Sequence, residues 1–170
     1  MRKIVLYGED HTKEYRKIIN DDIISRNKQT PFDYLVLEEL GPHSYLTQKE
    51  KVKAIKNQMW SVGPMGLQLA IELDIPAIGM DLWNDDTYKD DVFDDEDFAI
   101  DITRSFKLRE KQMLEKITKY YAKGNVAVIV GDSHLRTVKT TQLGDVSPIY
   151  LHFKNDANAT IVRCPHKEID

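Results

Sequence analysis

One pattern occurs twice in the chain and constrains the fold most: an apolar segment that runs into glycine, an acid, one further residue and histidine. Lys3–Tyr7 leads into Gly8–His11, and Val126–Val130 leads into Gly131–His134. Continuous apolar runs followed by helix-like sequence are typical of parallel strands whose two faces are both covered. Ligands of such sheets bind in the crevice beyond the carboxyl ends of the strands. The repeat therefore predicts one site with an imidazole from each end of the chain.

Strand-like and helix-like segments alternate along the rest of the sequence. Apolar runs predict strands at residues 2–7, 34–37, 76–80 and 125–130. A long helix is predicted at 97–122, and two final strands at 149–153 and 159–163 are separated by a polar turn. We therefore expect a single α/β domain over residues 1–170, since 170 residues suffice for one core. Its central, mostly parallel sheet is flanked by helices and ends in a C-terminal antiparallel edge hairpin.

The formal net charge of −4 is distributed unevenly. Residues 84–97 hold eight acids and one lysine, a local charge of −7, so the remainder carries +3. Nucleic acid is not expected as a partner, because the chain has no basic stripe with interleaved aromatic residues. The acidic run also lacks the spacing and central glycine of a calcium loop. We interpret it as a solvated loop and an acidic first helical turn, with a lid over the site as the alternative.

The amino-terminal residues and the single cysteine bear on location. Residues 1–7 are charged and then apolar for only a few positions, which makes neither a signal-peptide core nor a membrane span. The expectation is a cytoplasmic protein without a membrane partner. Cys164 cannot form an internal disulfide and is far in sequence from both histidine motifs, so we interpret it as structural.

Acids and histidines follow each of the first four predicted strands. In strand order they are Glu9 and His11, Glu38 and Glu39, Asp81, and Asp132 and His134. Right-handed crossovers make the parallel arrangement the default, so all these groups are expected at one edge of the sheet. Imidazoles and carboxylates in one crevice have two chemical uses. They bind a divalent metal that activates water, or they act directly as general base and acid.

Arg109 is a further candidate on the long predicted helix. It lies on the same helical stripe as Phe106, Met113 and Ile117, which is expected to face the core. An arginine on an inward face needs an anionic partner. Arg109 is expected to hold Glu39 in place or to bind a substrate anion. Pairing with a structural acid, or extension past the edge of the core, remains the alternative.

Together these residues resemble a superfamily that includes TraB, TIKI, ChaN and erythromycin-esterase proteins, over most of residues 3–137. Its members are α/β domains with paired Gly-x-x-His motifs, a glutamate after the second strand and an arginine-containing helix before the second motif. Glu39, which leucine follows, fits the glutamate better than Glu38 does. Arg109, with a methionine four residues on, fits the arginine.

The spacing places the chain within this superfamily and also sets it apart. Two residues separate glycine and histidine in the first motif, as in the TIKI and TraB type, whereas erythromycin esterases have a longer spacer. TraB-type members carry an arginine soon after the strand-two glutamate, where this chain has Gly41–Ser44. A lipoprotein signal, expected of ChaN-like proteins, and the membrane anchor of TIKI proteins are both missing. The chain looks like a minimal, soluble member.

The resemblance implies a hydrolase, metal-dependent by analogy with TIKI-type proteases. His11 and His134 are the implied metal ligands. Glu39 would be a third ligand or the base that deprotonates the bound water, and it is thereby a catalytic candidate together with Arg109. Arg109 would stabilise developing negative charge.

Four further carboxylates complete the predicted site. Glu9, also a catalytic candidate, and Asp132 are expected to orient the histidines, and Glu38 and Asp81 to support the site from outside. Imidazole and carboxylate ligands without a thiolate suit zinc, manganese or cobalt.

Two alternatives stay open at this point. A metal-free hydrolase would use His11 as the general base on water that attacks an ester or amide. A binding protein of the same fold would capture a small ligand or a partner without turnover. The substrate, a small molecule or a peptide, and the oligomeric state are not fixed by the sequence.

Overall fold

A computed structural model of the chain describes residues 1–57, 64–82 and 101–165. Strands and helices alternate in it, as the apolar pattern predicts. The strands are β1 (Ile4–Glu9), β2 (Tyr34–Leu37), β3 (Ala77–Gly79), β4 (Val126–Gly131) and β5 (Ala159–Val162). The helices are α1 (Lys13–Gln29), α2 (Gln48–Asn57), α3 (Met65–Glu72), α4 (Ile102–Tyr121) and α5 (Pro148–Phe153). Short 3-10 turns at Glu38–Leu40 and Asp132–Leu135 follow β2 and β4 directly.

The five strands form one parallel sheet in the order β3-β2-β4-β1-β5. β4, the fourth strand in the chain, lies between β1 and β2 in the middle of the sheet. In the β1–β4 register Gly8 lies opposite Val130, and Glu9 lies opposite Gly131. The two Gly-x-x-His motifs therefore leave the sheet side by side, as the repeat in the sequence predicts.

Alternate residues of the strands face two separate hydrophobic cores. One core lies under α1, α2 and α3 and includes Tyr7, Leu37 and Ile129. The other lies under α4 and α5 and includes Leu6, Val36 and Val128. The chain thus leaves β1 toward one face and β4 toward the other. Neighbouring parallel strands with connections to opposite faces create a crevice at their carboxyl ends.

The predicted antiparallel hairpin at the C-terminus is wrong, whereas the α/β class is confirmed. Residues 149–153 belong to helix α5, which begins where Ser147 Oγ accepts hydrogen bonds from the backbone N–H groups of Ile149 and Tyr150. Ile149 and Phe153, one helical turn apart, are buried in the core under α4. Because a helix returns the chain to the starting edge, β5 runs parallel to β1 and not against a neighbouring strand.

The other predicted elements agree with the structure within a few residues. On α1, Ile19 and Ile23 are buried, whereas Ile18 is exposed. The acidic run at 84–97 lies outside the described residues. In the described parts of the chain, no helix is both long enough and apolar enough to cross a membrane.

Candidate functional site

The carboxyl ends of β1, β2, β3 and β4 bring the predicted site residues to one edge of the sheet. Their side chains divide between the two faces of the sheet. Glu9 and Glu39 lie on the face of α1 and α3, whereas Glu38 lies on the face of α4. The site is therefore two clusters of charged groups that meet above the ends of β1 and β4.

His11 lies at the mouth of the crevice, between β1 and α1. Its side chain is 51% exposed, and its Nδ1 is 3.3 Å from Oε1 of the buried Glu9. Arg16, on α1, donates hydrogen bonds to both oxygens of Glu9, from Nε at 2.7 Å and from Nη2. The backbone of His11 has φ 59°, a left-handed conformation that is uncommon for a residue with a Cβ and concentrates at functional sites. Glu9 thus fixes an imidazole whose other nitrogen, Nε2, is turned toward the crevice.

His134 is also held by a glutamate that an arginine contacts in turn, but it lies inside the protein. It is 2% exposed, and its Nδ1 is 3.1 Å from Oε1 of Glu110 on α4. Arg136 donates to both oxygens of Glu110, from Nη1 and, at 3.2 Å, from Nη2. The ring of Phe106 stacks on the imidazole at a centroid distance of 4.6 Å. Each histidine of the repeated motif therefore has its own glutamate and its own arginine.

Glu38 connects the two halves. Its Oε1 is 2.6 Å from Nη2 of Arg109 and 3.4 Å from Nε2 of His134, and its Oε2 accepts a 2.6 Å hydrogen bond from the backbone N–H of Gly131. A Cβ built on Gly131 would lie 3.0 Å from Nε2 of His11 and 3.3 Å from Oε2 of Glu38. Both imidazoles therefore turn Nε2 toward the neighbourhood of this one carboxylate.

Arg109 is fixed by two carboxylates. Besides its contact with Glu38, its Nε and Nη2 each donate a 2.7 Å hydrogen bond to Asp81 at the end of β3. The sequence leaves open whether Arg109 holds Glu39 or pairs with another acid. In the structure Arg109 lies beside acids that follow β2 and β3, whereas Glu39 is on the opposite face. Asp81 is 3% exposed, so its contact with Arg109 lies inside the protein.

Neighbouring charges and burial shift the pKa of Glu38 downward and the pKa values of His134 and His11 upward. Burial alone would raise the pKa of Glu38, but the charges of His134 and Arg109 and the Gly131 hydrogen bond outweigh it and hold that pKa far below its usual range. Burial would lower the pKa of His134, and the carboxylates of Glu38 and Glu110 reverse this, so the pKa is raised. The contact with Glu9 raises the pKa of His11 against the opposing effect of burial.

Two predicted site residues lie away from the histidines. Glu39 has its Oε2 2.8 Å from Arg16 Nη2, and burial raises its pKa although Arg16 acts in the opposite direction. Asp132 accepts 2.6 Å hydrogen bonds from Nε and Nη2 of Arg163, and it does not orient His134 as expected. Glu110 on α4 occupies that position. Glu38 and Glu39 lie on the 3-10 turn after β2, where adjacent side chains point in different directions, so they reach opposite faces of the sheet.

The predicted metal ligands His11, His134 and Glu39 do not surround one point. Glu39 faces Arg16 on one side of the sheet, and His134 is enclosed on the other side between Glu110 and Glu38. Within residues 1–57, 64–82 and 101–165, no three His, Cys, Asp or Glu side chains are grouped so that they could hold a metal ion. This donor set does not fit a shared metal in the arrangement described.

Sequence reasoning missed Arg16, Glu110 and Arg136. Helical spacing offers a signal for two of them: Arg16 shares a buried stripe with Ile19 and Ile23, and Glu110 is three residues before the buried Met113. A charged residue at a core position of a helix implies a buried partner of opposite charge. Arg136 has no comparable signal, since it follows a 3-10 turn.

The glycine of the second motif offers a test of how tightly the site is packed. Gly131→Ala should leave the fold intact, with a loss of about 1–3 kcal/mol, because the new Cβ meets side-chain atoms of His11 and Glu38 and no backbone atom. It should displace the His11 ring, whose NMR signals are expected to shift. Gly8→Ala serves as the contrast: its Cβ would lie 2.1 Å from Oδ1 and 3.1 Å from Cα of Asp132, so it should cost more stability. Unchanged His11 signals in Gly131→Ala would contradict the close packing.

Comparison with known proteins gives a likeness of fold alone. No family model and no curated protein matches the chain. A solved structure described as "Crystal structure of bacterial protein toxins" is similar over 87% of this chain, with 16% sequence identity and a TM-score of 0.50. Another, described as "Bacterial protein toxins", is similar over 86% of the chain, with 14% identity and a TM-score of 0.48. The chain spans 31% of the length of each.

Proposed function

We propose that the protein is a hydrolase in which His11 acts as the general base on a water molecule that attacks an amide or ester bond. The observation that carries the proposal is the Glu9–His11 pair at the mouth of the crevice. Nδ1 of His11 is 3.3 Å from a buried carboxylate, which leaves Nε2 as the acceptor on a side chain that is half exposed. A base fixed at one nitrogen and accessible at the other is the arrangement that general base catalysis uses.

In the proposed reaction the neutral imidazole accepts a proton from water at Nε2 while the water oxygen bonds to the carbonyl carbon. Glu9 stabilises the imidazolium that forms, as the carboxylate of a catalytic triad does. When the tetrahedral intermediate collapses, the bond to the leaving group breaks and Nε2 returns the proton to the departing oxygen or nitrogen. His11 therefore ends the reaction in its neutral form, and the water supplies the new oxygen of the acid product.

The remaining groups prepare the crevice for this step. Arg109 holds Glu38 and Asp81, so it acts on the site through these carboxylates. Buried His134 cannot reach a substrate directly, but against the effect of burial the carboxylates of Glu38 and Glu110 raise its pKa and so favour its charged form near the end of β4. In its charged form His134 would favour the negative charge that develops on the carbonyl oxygen of a substrate bound nearby.

A metal-dependent reaction stays a prediction of the resemblance to TIKI-type proteins. The ligands that this resemblance implies are His11, His134 and Glu39, which do not surround one point in the structure. Arg109 beside Glu38 opposes a second cation at this position, because like charges repel. Zinc, manganese and cobalt are the metals to measure.

Hydrolysis is tested with the purified protein on two probe sets, p-nitrophenyl esters and aminoacyl p-nitroanilides, before and after exhaustive chelation, together with elemental analysis. Turnover that survives chelation supports His11 as a direct base. Turnover that is lost and then restored by added zinc, manganese or cobalt would replace the direct base by a metal mechanism. A compound that is bound tightly and recovered unaltered, without turnover of any probe, would favour the binding-protein alternative.

A further inference from the structure

Arg16 is one of the largest fully buried side chains in the described structure, with 1% of its surface exposed. Its guanidinium meets Glu9 as a fork, with Nε 2.7 Å from Oε2 and Nη2 on Oε1. A buried guanidinium is costly unless its hydrogen bonds are satisfied by a carboxylate. The residue is therefore placed for a specific contact and not for general solubility.

One oxygen of Glu9 connects Arg16 to the imidazole. Oε1 of Glu9 is the atom that Nη2 of Arg16 contacts and from which Nδ1 of His11 is 3.3 Å away. Rotation of the carboxylate away from His11 would break both hydrogen bonds of the fork. The same order of groups holds His134 through Glu110 and Arg136, which shows that the fold uses this support twice.

Glu39 restrains Arg16 from the other side. Its Oε2 is 2.8 Å from Nη2 of Arg16, the nitrogen that also contacts Glu9. Room for the Glu39 carboxylate comes from Gly66 at the start of α3, where a Cβ would lie 2.1 Å from Oε1 of Glu39. The guanidinium thus lies between two carboxylates, one at the end of β1 and one on the 3-10 turn after β2, and a movement toward one of them lengthens its contact with the other.

We propose that Arg16 is a positioning residue for the reaction of His11: its fork locks the Glu9 carboxylate against Nδ1, so that the neutral ring carries its proton there and keeps Nε2 free to accept one. The inference rests on the proposed function of His11. It assigns a role to the first turn of α1, and it makes Glu39 a restraint on Arg16. Lysine cannot replace Arg16 here, because a single ammonium lacks the planar fork.

The test is Arg16→Lys, with two readouts. The ¹⁵N chemical shifts of the His11 ring, recorded at alkaline pH where the ring is neutral, report which nitrogen carries the proton. We expect Nδ1–H in the natural protein and a mixture of both tautomers in the variant. With p-nitrophenyl acetate as the probe, kcat should fall about 10–100-fold with little change in KM, as on loss of a group that orients a reactive side chain.

Arg26→Lys is the matched control, because Arg26 lies on the same helix and pairs with Asp22 at a partly exposed site. It should leave tautomer and kcat unchanged. If Arg16→Lys does not fold, Glu39→Gln takes its place, since it loosens Arg16 without removing it, and a mixed tautomer is again expected. A His11 ring that stays Nδ1–H in the folded variant overturns the inference. A mixed tautomer in a protein that hydrolyses no probe would uphold the positioning and reject the hydrolase.

Discussion

Replacing His11 with asparagine should lower the turnover of a hydrolysable probe about 10²–10⁴-fold, the range that general base catalysis contributes. Asparagine is the appropriate replacement because it tolerates the left-handed backbone of this position, where φ is 59°. The fold should be retained, since the side chain is half exposed. In the natural protein, kcat/KM should rise with pH through the pKa of His11, which Glu9 raises, because the base must be deprotonated.

The control for this prediction is His152→Asn. His152 is an exposed residue on α5, where its ring contacts Phe153, and it lines a cavity with Met1 and Arg2 at the opposite end of the sheet. Its replacement should change neither kcat nor KM. Equal turnover by His11→Asn and the natural protein, with both folded, would remove His11 from the chemistry.

Glu110→Gln should reduce the free energy of unfolding by about 3–5 kcal/mol, the loss typical when one partner of a buried ion pair is removed. Glu110 is 1% exposed and is the carboxylate shared by Arg136 and His134. Glutamine keeps the shape but not the charge, so the guanidinium stays buried without a counter-ion. Urea unfolding followed by circular dichroism measures the change.

Glu115→Gln is the comparison on the same helix, because Glu115 is exposed. Its effect should stay within about 0.5 kcal/mol, as for ordinary surface substitutions. If the two variants unfold at the same urea concentration, the cluster around His134 does not stabilise the fold. The assignment of Glu110 as the group that fixes His134 would then also be withdrawn.

The sequence was sufficient to predict the central sheet because its strands are buried on both faces. β1 and β4 are continuous apolar runs with no competing helical spacing, and each reaches a glycine near its end, Gly8 in β1 and Gly131 in β4. Residues 149–153 were ambiguous for the opposite reason. A segment of five residues with three apolar positions satisfies both a short strand and one and a half helical turns. Ser147 and Pro148 decide between them, since they form the start of a helix.

The site was predictable at the level of motifs but not of partners. His11 and His134 follow from the repeat, whereas the choice between Glu38 and Glu39 depends on which face of the sheet each residue occupies. Adjacent residues differ in face, so a shift of one position reverses the answer. Arg109 was found by its helical spacing, and the same reasoning applied to α1 would have found Arg16. Asp81, the partner of Arg109, follows β3 and is 28 residues away in the sequence. No local pattern encodes such a pairing.

The central position of β4 has a consequence for how the chain reaches its folded state. β1 and β2 flank β4 and do not pair with each other, so the first half of the chain cannot build a continuous sheet from its own strands. During synthesis, the edges of β1 and β2 that pair with β4 stay unpaired until residues beyond 125 emerge from the ribosome. Unpaired apolar edges of this kind favour aggregation. Insertion of β4 then joins β1 to β2 and brings His134 beside Glu38. A truncated chain that ends before β4 would thus lose the sheet and the crevice together.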